Sequence, residues 1–132
     1  MDVDTVLLAD YASTGEQGKL NVMGVFNRIF VKKFPARHPV MYVITKVSAS
    51  MAEVNMTRKL SVKLMDEDSH NTLIDFTRDV TVQQQPPGQR FELNGILRIN
   101  DIILEKPGTY QISVLIDDDE KASLPLYVEP AK

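Results

Sequence analysis

The chain alternates apolar and polar residues one by one, in short runs that turn-forming residues interrupt about every ten positions. Leu60, Val62 and Leu64 alternate with Lys59, Ser61 and Lys63; Tyr110, Ile112, Val114 and Ile116 alternate with Gln111, Ser113 and Asp117. A period of two places successive side chains on opposite faces of an extended strand, one dry and one wet. Eight such runs are legible, at 3–12, 20–31, 40–48, 57–65, 73–83, 90–100, 110–116 and 122–129. Eight strands are too many for one strongly twisted sheet to cover its own apolar face. The fold class read from the sequence is therefore all-β: a two-sheet antiparallel β-sandwich of about eight strands, with little or no helix, in a single domain over residues 1–132.

Punctuation refines this outline. Gly15 and Gly18 suit a turn after the first run, and Gly24 interrupts the second, where a bulge or a close backbone approach is expected. Residues 50–54 read either as one helical turn, with Ser50 as N-cap and Glu53 as its capping-box partner, or as plain loop. If every strand reverses the one before it, loops 32–39, 66–71 and 101–108 share one end of the sandwich. Loops 13–19, 49–55, 84–89 and 117–121 then share the other.

At 132 residues the chain is long enough to bury roughly two-thirds of its unfolded surface without a staple. The absence of cysteine rules out disulfides and cysteine-ligated zinc. A net charge of −3 disfavours nucleic acid or an anionic membrane as the primary partner. The first residues lack a basic leader, and the apolar stretch 6–9 is too short to span a bilayer. The expected compartment is the cytoplasm, with association with a virion as the other reading.

Chemistry-bearing groups are few. Asp66-Glu67-Asp68 and Asp117-Asp118-Asp119-Glu120 are acidic clusters, but the alternation of loops puts them at opposite ends and they read as solvated hairpin tips. His38, Asp66, Asp68 and His70 fall at one end and form the weak candidate for a ligand or metal site. Asp68-Ser69-His70 holds the residue types of a catalytic triad, yet adjacent loop residues cannot line up as nucleophile, base and orienter. No nucleophile elbow, phosphate-cradling loop or dinucleotide fingerprint occurs, so neither catalysis nor a cofactor is expected. Arg28, Lys32, Lys33, Phe34, Arg37 and His38, together with Phe30, form a basic and aromatic stretch. That stretch reads as a contact loop, or as two aromatic anchors with solvated cations around them.

Two charges interrupt dry faces. Asp10 shares a face with Val6 and Leu8, and Arg78 shares one with Ile74, Phe76, Val80 and Val82. They sit at a rim, at bulges, or paired with each other. Conversely, Met41, Val43, Val47 and Leu115 fall on faces that should be wet, which points to a covering loop or a second subunit.

The strings Leu7-Leu8-Ala9-Asp10-Tyr11-Ala12, Gly18-Lys19-Leu20-Asn21-Val22-Met23-Gly24-Val25-Phe26-Asn27-Arg28-Ile29-Phe30 and Phe34-Pro35-Ala36-Arg37-His38-Pro39 resemble a family of small, mostly bacterial proteins known as a domain of unknown function. Leu64-Met65-Asp66-Glu67-Asp68 and Pro107-Gly108-Thr109-Tyr110 extend the likeness over nearly the whole chain. The resemblance implies a compact β domain and carries no catalytic residues. The functional expectation is a non-enzymatic module acting through protein–protein contact, with a protein partner or with itself. The alternative is a small-ligand, carbohydrate or metal-binding module at the end that holds His38, Asp66 and His70.

Overall fold

A computed structural model describes residues 1–68 and 70–131. Its elements in chain order are β1 (Asp2–Thr14), β2 (Leu20–Val25), β3 (Arg28–Val31), β4 (Ala36–Ala49), β5 (Thr57–Asp66), β6 (Thr72–Thr81), β7 (Phe91–Leu104), β8 (Gly108–Ile116) and β9 (Asp119–Pro130). They form a four-stranded sheet of order β2-β1-β4-β7 and a five-stranded sheet of order β3-β9-β8-β5-β6. The fold is an all-β sandwich, and its pairings are antiparallel apart from β3 on β9.

The described residues form nine strands because the second run divides. Gly24 takes φ +71 against the Asp10 side chain, where a Cβ would collide with the carboxylate. Phe26 then donates its N–H to the Leu8 carbonyl at 3.0 Å, and the chain crosses to the other sheet as β3. β4 begins earlier and β7 ends later than the sequence pattern indicates. The register is the same on both sides of Pro39, which has no N–H, and Asp101, which takes φ +56: His38 pairs with Ile102 and Val40 with Asn100, and no pairing is made between them. Ile99 and Ile102, on either side of Asp101, both reach the core.

The 50–54 segment contains a single 3-10 turn, Met51–Glu53. Ser50 makes no side-chain cap there. The Glu53 carboxylate instead accepts from the Met1 ammonium, 2.8 Å to each oxygen, and from the Arg58 guanidinium at 3.0 and 3.2 Å. Arg58 continues to Asp117 at 3.0 Å, which also accepts from the Lys59 N–H at 2.8 Å.

The faces of β4 correct one expectation. Met41, Val43 and Val47 lie on the inner face, buried between the sheets with Leu60, Val62 and Val114. The outer face carries Val40, Tyr42 and Ile44, and it is also dry. The second half of β1 and β2 form a hairpin that lies over it: Ala12, Leu20 and Val22 pack on Tyr42, Ile44 and Ile96. The hairpin tip reaches β7, where the Asn94 side-chain amide donates to the Gly18 carbonyl at 3.2 Å. The cover is the chain itself. Loop 13–19 therefore lies on a sheet face rather than with 49–55, 84–89 and 117–121 at one end. Loops 32–35, 67–71 and 105–107 do share the opposite end.

Candidate functional site

Among the described residues β6 pairs only with β5 and β7 only with β4, so these two strands border the open side of the sandwich. The inner-face positions of β6 follow from its register against β5: Ile74 opposite Leu64, Phe76 opposite Val62, Arg78 opposite Leu60. On β7 they are Leu93, Gly95 and Leu97, opposite Val47, Thr45 and Val43. At one end Val80, Val82 and Phe91 close the gap between the edges, and at the other Leu73 and Ile74 pack on the core. Between these seals a cleft of ≈ 50 Å³ remains, lined by Phe76, Arg78, Thr45, Gly95 and Leu97 among others.

Residue type explains the opening. Gly95 has no side chain to fill the wall of β7, and the contact beneath it is with the Thr45 hydroxyl, 2.6 Å from where a Cβ would stand. Arg78 turns its charge outward, where an aliphatic residue would have sealed the edge. Phe76 is left 38% exposed beside it. Among the described residues Arg78 has no ion pair and no side-chain hydrogen bond. By contrast, Asp75 and Asp79, on the other face of β6, stand opposite Lys63 and Lys59. Asp10 is also exposed, and it lies against Gly24 and near His38, so Asp10 and Arg78 do not form a pair.

The loop end is more dispersed than the sequence suggests. His38 is half-buried against Phe26, ring centroids 6.1 Å apart, and its Nε2 is buried without a hydrogen-bond partner. Burial lowers the His38 pKa, opposed by Asp10 and by a hydrogen bond to the Val40 backbone. Asp66 is buried at the end of β5; it accepts from the Asp68 N–H at 2.9 Å and lies 3.7 Å from Lys106 Nζ. His70 takes φ +58 and donates its N–H to the Asp66 carbonyl at 2.9 Å. Ser69 lies outside the described residues.

Two shallow hollows flank Asp66. One, ≈ 490 Å³, is lined by Glu105, Lys106 and Tyr110. Burial and then the Asp66 charge raise the Tyr110 pKa, while its hydroxyl donates to the Lys106 carbonyl at 2.9 Å. The other, ≈ 420 Å³, is lined by Glu67, His70 and Glu120. Glu120 belongs to the second acidic cluster, so the two clusters are less separated than their loops imply. Among the described residues no three His, Asp or Glu side chains come close enough to hold a metal ion.

The basic stretch does not act as one patch. Phe34 packs against the core as an anchor, whereas Phe30 is 63% exposed. Arg28 lies over the Tyr127 ring and pairs with Glu129 at 3.4 Å, and Arg37 pairs with Asp101 at 2.8 Å. Lys32 and Lys33 are exposed and, among the described residues, without an ion pair. Sequence reading singled out Arg78 and Phe76 as sharing a dry face but did not join them to a site. An isolated glycine within a strand, Gly95, was the signal that would have located the opposite wall.

Among the described residues no helix is long and apolar enough to cross a membrane. No curated protein matches the sequence. A family model matches residues 4–129, and the chain belongs to that family, DUF6941, a family of unknown function.

Proposed function

We propose that this protein is a non-enzymatic β-sandwich module that works through protein–protein contact, and that the cleft between β6 and β7 is its contact site. The observation that carries the proposal is the cleft itself: an apolar slot flanked by two sheet edges that have no strand neighbour among the described residues. Unpaired edges present a row of backbone donors and acceptors, which an extended segment of another chain can satisfy. The reading in which a small ligand, carbohydrate or metal binds near His38, Asp66 and His70 has less support. His38 packs on Phe26, and Asp66 is engaged by the Asp68 N–H and Lys106.

The test is site-specific photo-crosslinking in the native host, with a benzophenone amino acid placed at position 76 or, as control, at position 30. Both positions hold exposed phenylalanines, so tolerance of the probe is comparable. One recurring protein adduct from position 76 and none from position 30 is expected. Adducts from position 30 alone, or none from either, would overturn the assignment of the contact site.

A further inference from the structure

The chemistry of the cleft narrows what can occupy it. Its volume of ≈ 50 Å³ is about a third of the ~150 Å³ that accommodates a benzene molecule in an engineered protein cavity. An aromatic ring or a lipid chain is too large; one small aliphatic side chain fits. Arg78 stands two residues from Phe76 on the same face of β6, with no counter-charge among the described residues. A cation at the lip of an apolar slot selects an anion from whatever enters beside it.

Resting on the reading of this cleft as a protein-contact site, we infer that it accepts an extended segment of a different protein, added as a strand beside β6. The segment presents a small aliphatic side chain and an acidic side chain two residues apart on one face. The aliphatic residue stands next to Phe76 and fills the slot over Gly95; the carboxylate stands next to Arg78. The spacing of two follows from the pleat, which puts alternate side chains on one face in either strand direction. A second copy of this chain is a poor occupant. Its edge strands offer Leu73 with Asp75, and Asp101 with Ile99 or Ile103, at that spacing. Leu73 packs on the core, and Asp101 is held by Arg37 at 2.8 Å.

The experiment titrates the ¹⁵N-labelled full chain with three acetylated, amidated peptides and reads the backbone amides of β6 and β7. The parent peptide is Lys-Thr-Val-Thr-Glu-Thr-Lys; one variant replaces Val with Phe and another replaces Glu with Lys. Shifts centred on 76–78 and 93–97 are expected with the parent. The Lys variant should bind about tenfold more weakly, and the Phe variant should produce no saturable shift. Arg78→Glu, at an exposed position that leaves the fold intact, should reverse the charge preference. Binding at these edges with no charge preference, or an unchanged preference in Arg78→Glu, overturns the acidic specificity while leaving the contact-site reading in place. Absence of shifts at these edges with every peptide overturns the inference, and the crosslinking result at position 76 then decides the broader reading separately. Concentration-dependent self-association that protects the same amides would overturn it in favour of a second copy.

Discussion

Replacing Glu53 with Gln keeps the shape of the side chain and removes its charge, and the structure sets the size of the effect. The part-buried Met1 ammonium donates to both carboxylate oxygens at 2.8 Å; the Glu53 side chain is 16% exposed and also holds Arg58. At an effective dielectric near 20, a contact of this length is worth roughly 6 kcal/mol of gross attraction. Desolvation offsets much of that gain, but breaking one partner of a buried pair leaves the other charge stranded, at a cost of about 3–5 kcal/mol. Since Glu53 keeps some access to water, the expected loss is about 2–3 kcal/mol, or on the order of 10 °C in Tm for a domain of this size. The pH dependence has a definite sign. The ammonium hydrogen bond, with help from Arg58, holds the Glu53 pKa below its ordinary value of 4.5. A depressed carboxyl pKa stabilises the fold above the unfolded value, and that stability is lost as pH falls through the folded one. Urea unfolding followed by far-UV circular dichroism, suited to a chain without tryptophan, should show the full difference between the two proteins at pH 7. The difference should shrink steadily below the ordinary Glu range. A difference that persists unchanged at pH 3, or one under ~0.5 kcal/mol at pH 7, would refute the reasoning.

The hairpin over the outer face predicts that Ile44→Ala, which opens a cavity between β4 and Val22, lowers the unfolding free energy by about 3 kcal/mol in urea titrations. The two glycines at φ +71 and +81 should differ under alanine substitution, measured as Tm shifts. Gly24→Ala meets the Asp10 carboxylate and costs about 2 kcal/mol or more, whereas Gly88→Ala enters open space and costs only about 1 kcal/mol. Arg78→Met removes a guanidinium that has no ion pair among the described residues, so its unfolding free energy should stay within about 0.5 kcal/mol of the parent. A larger loss by chemical denaturation would mean that Arg78 has a stabilising partner.

The resemblance to a domain of unknown function held: a family model of that kind covers residues 4–129. Other readings divided according to how local their cause was. Gly24 was legible as a close approach because the need for positive φ is a property of one residue and its neighbours. Residues 50–54 were legible as either a capped helical turn or a loop; the turn forms over Met51–Glu53, but the capping box does not. Glu53 is drawn to an ammonium 52 positions away, and no local rule contains that partner. Loop ends were assigned by counting reversals, and the count failed where one run became two strands in different sheets. Asp10 and Arg78 were visible as exceptions to the pattern; the exposure of Arg78 depended on β6 becoming a sheet edge, whereas Asp10 is exposed on β1, an interior strand.

By itself the sequence determined that this protein is an all-β sandwich, because a two-residue alternation can bury its apolar half only by stacking one sheet on another. It also determined where most strands begin and end, since glycine, proline and aspartate impose their backbone preferences locally. Tertiary structure alone decided which face of β4 points inward, because Met41, Val43 and Val47 and their neighbours Val40, Tyr42 and Ile44 are both apolar sets. The hairpin that covers the second set comes from residues far away in the chain. Tertiary structure also decided that β6 and β7 are edges and that Gly95, Phe76 and Arg78 meet across a cleft. Strand order within a sheet is set by long-range packing, and an alternating pattern reads the same at the edge of a sheet as at its centre.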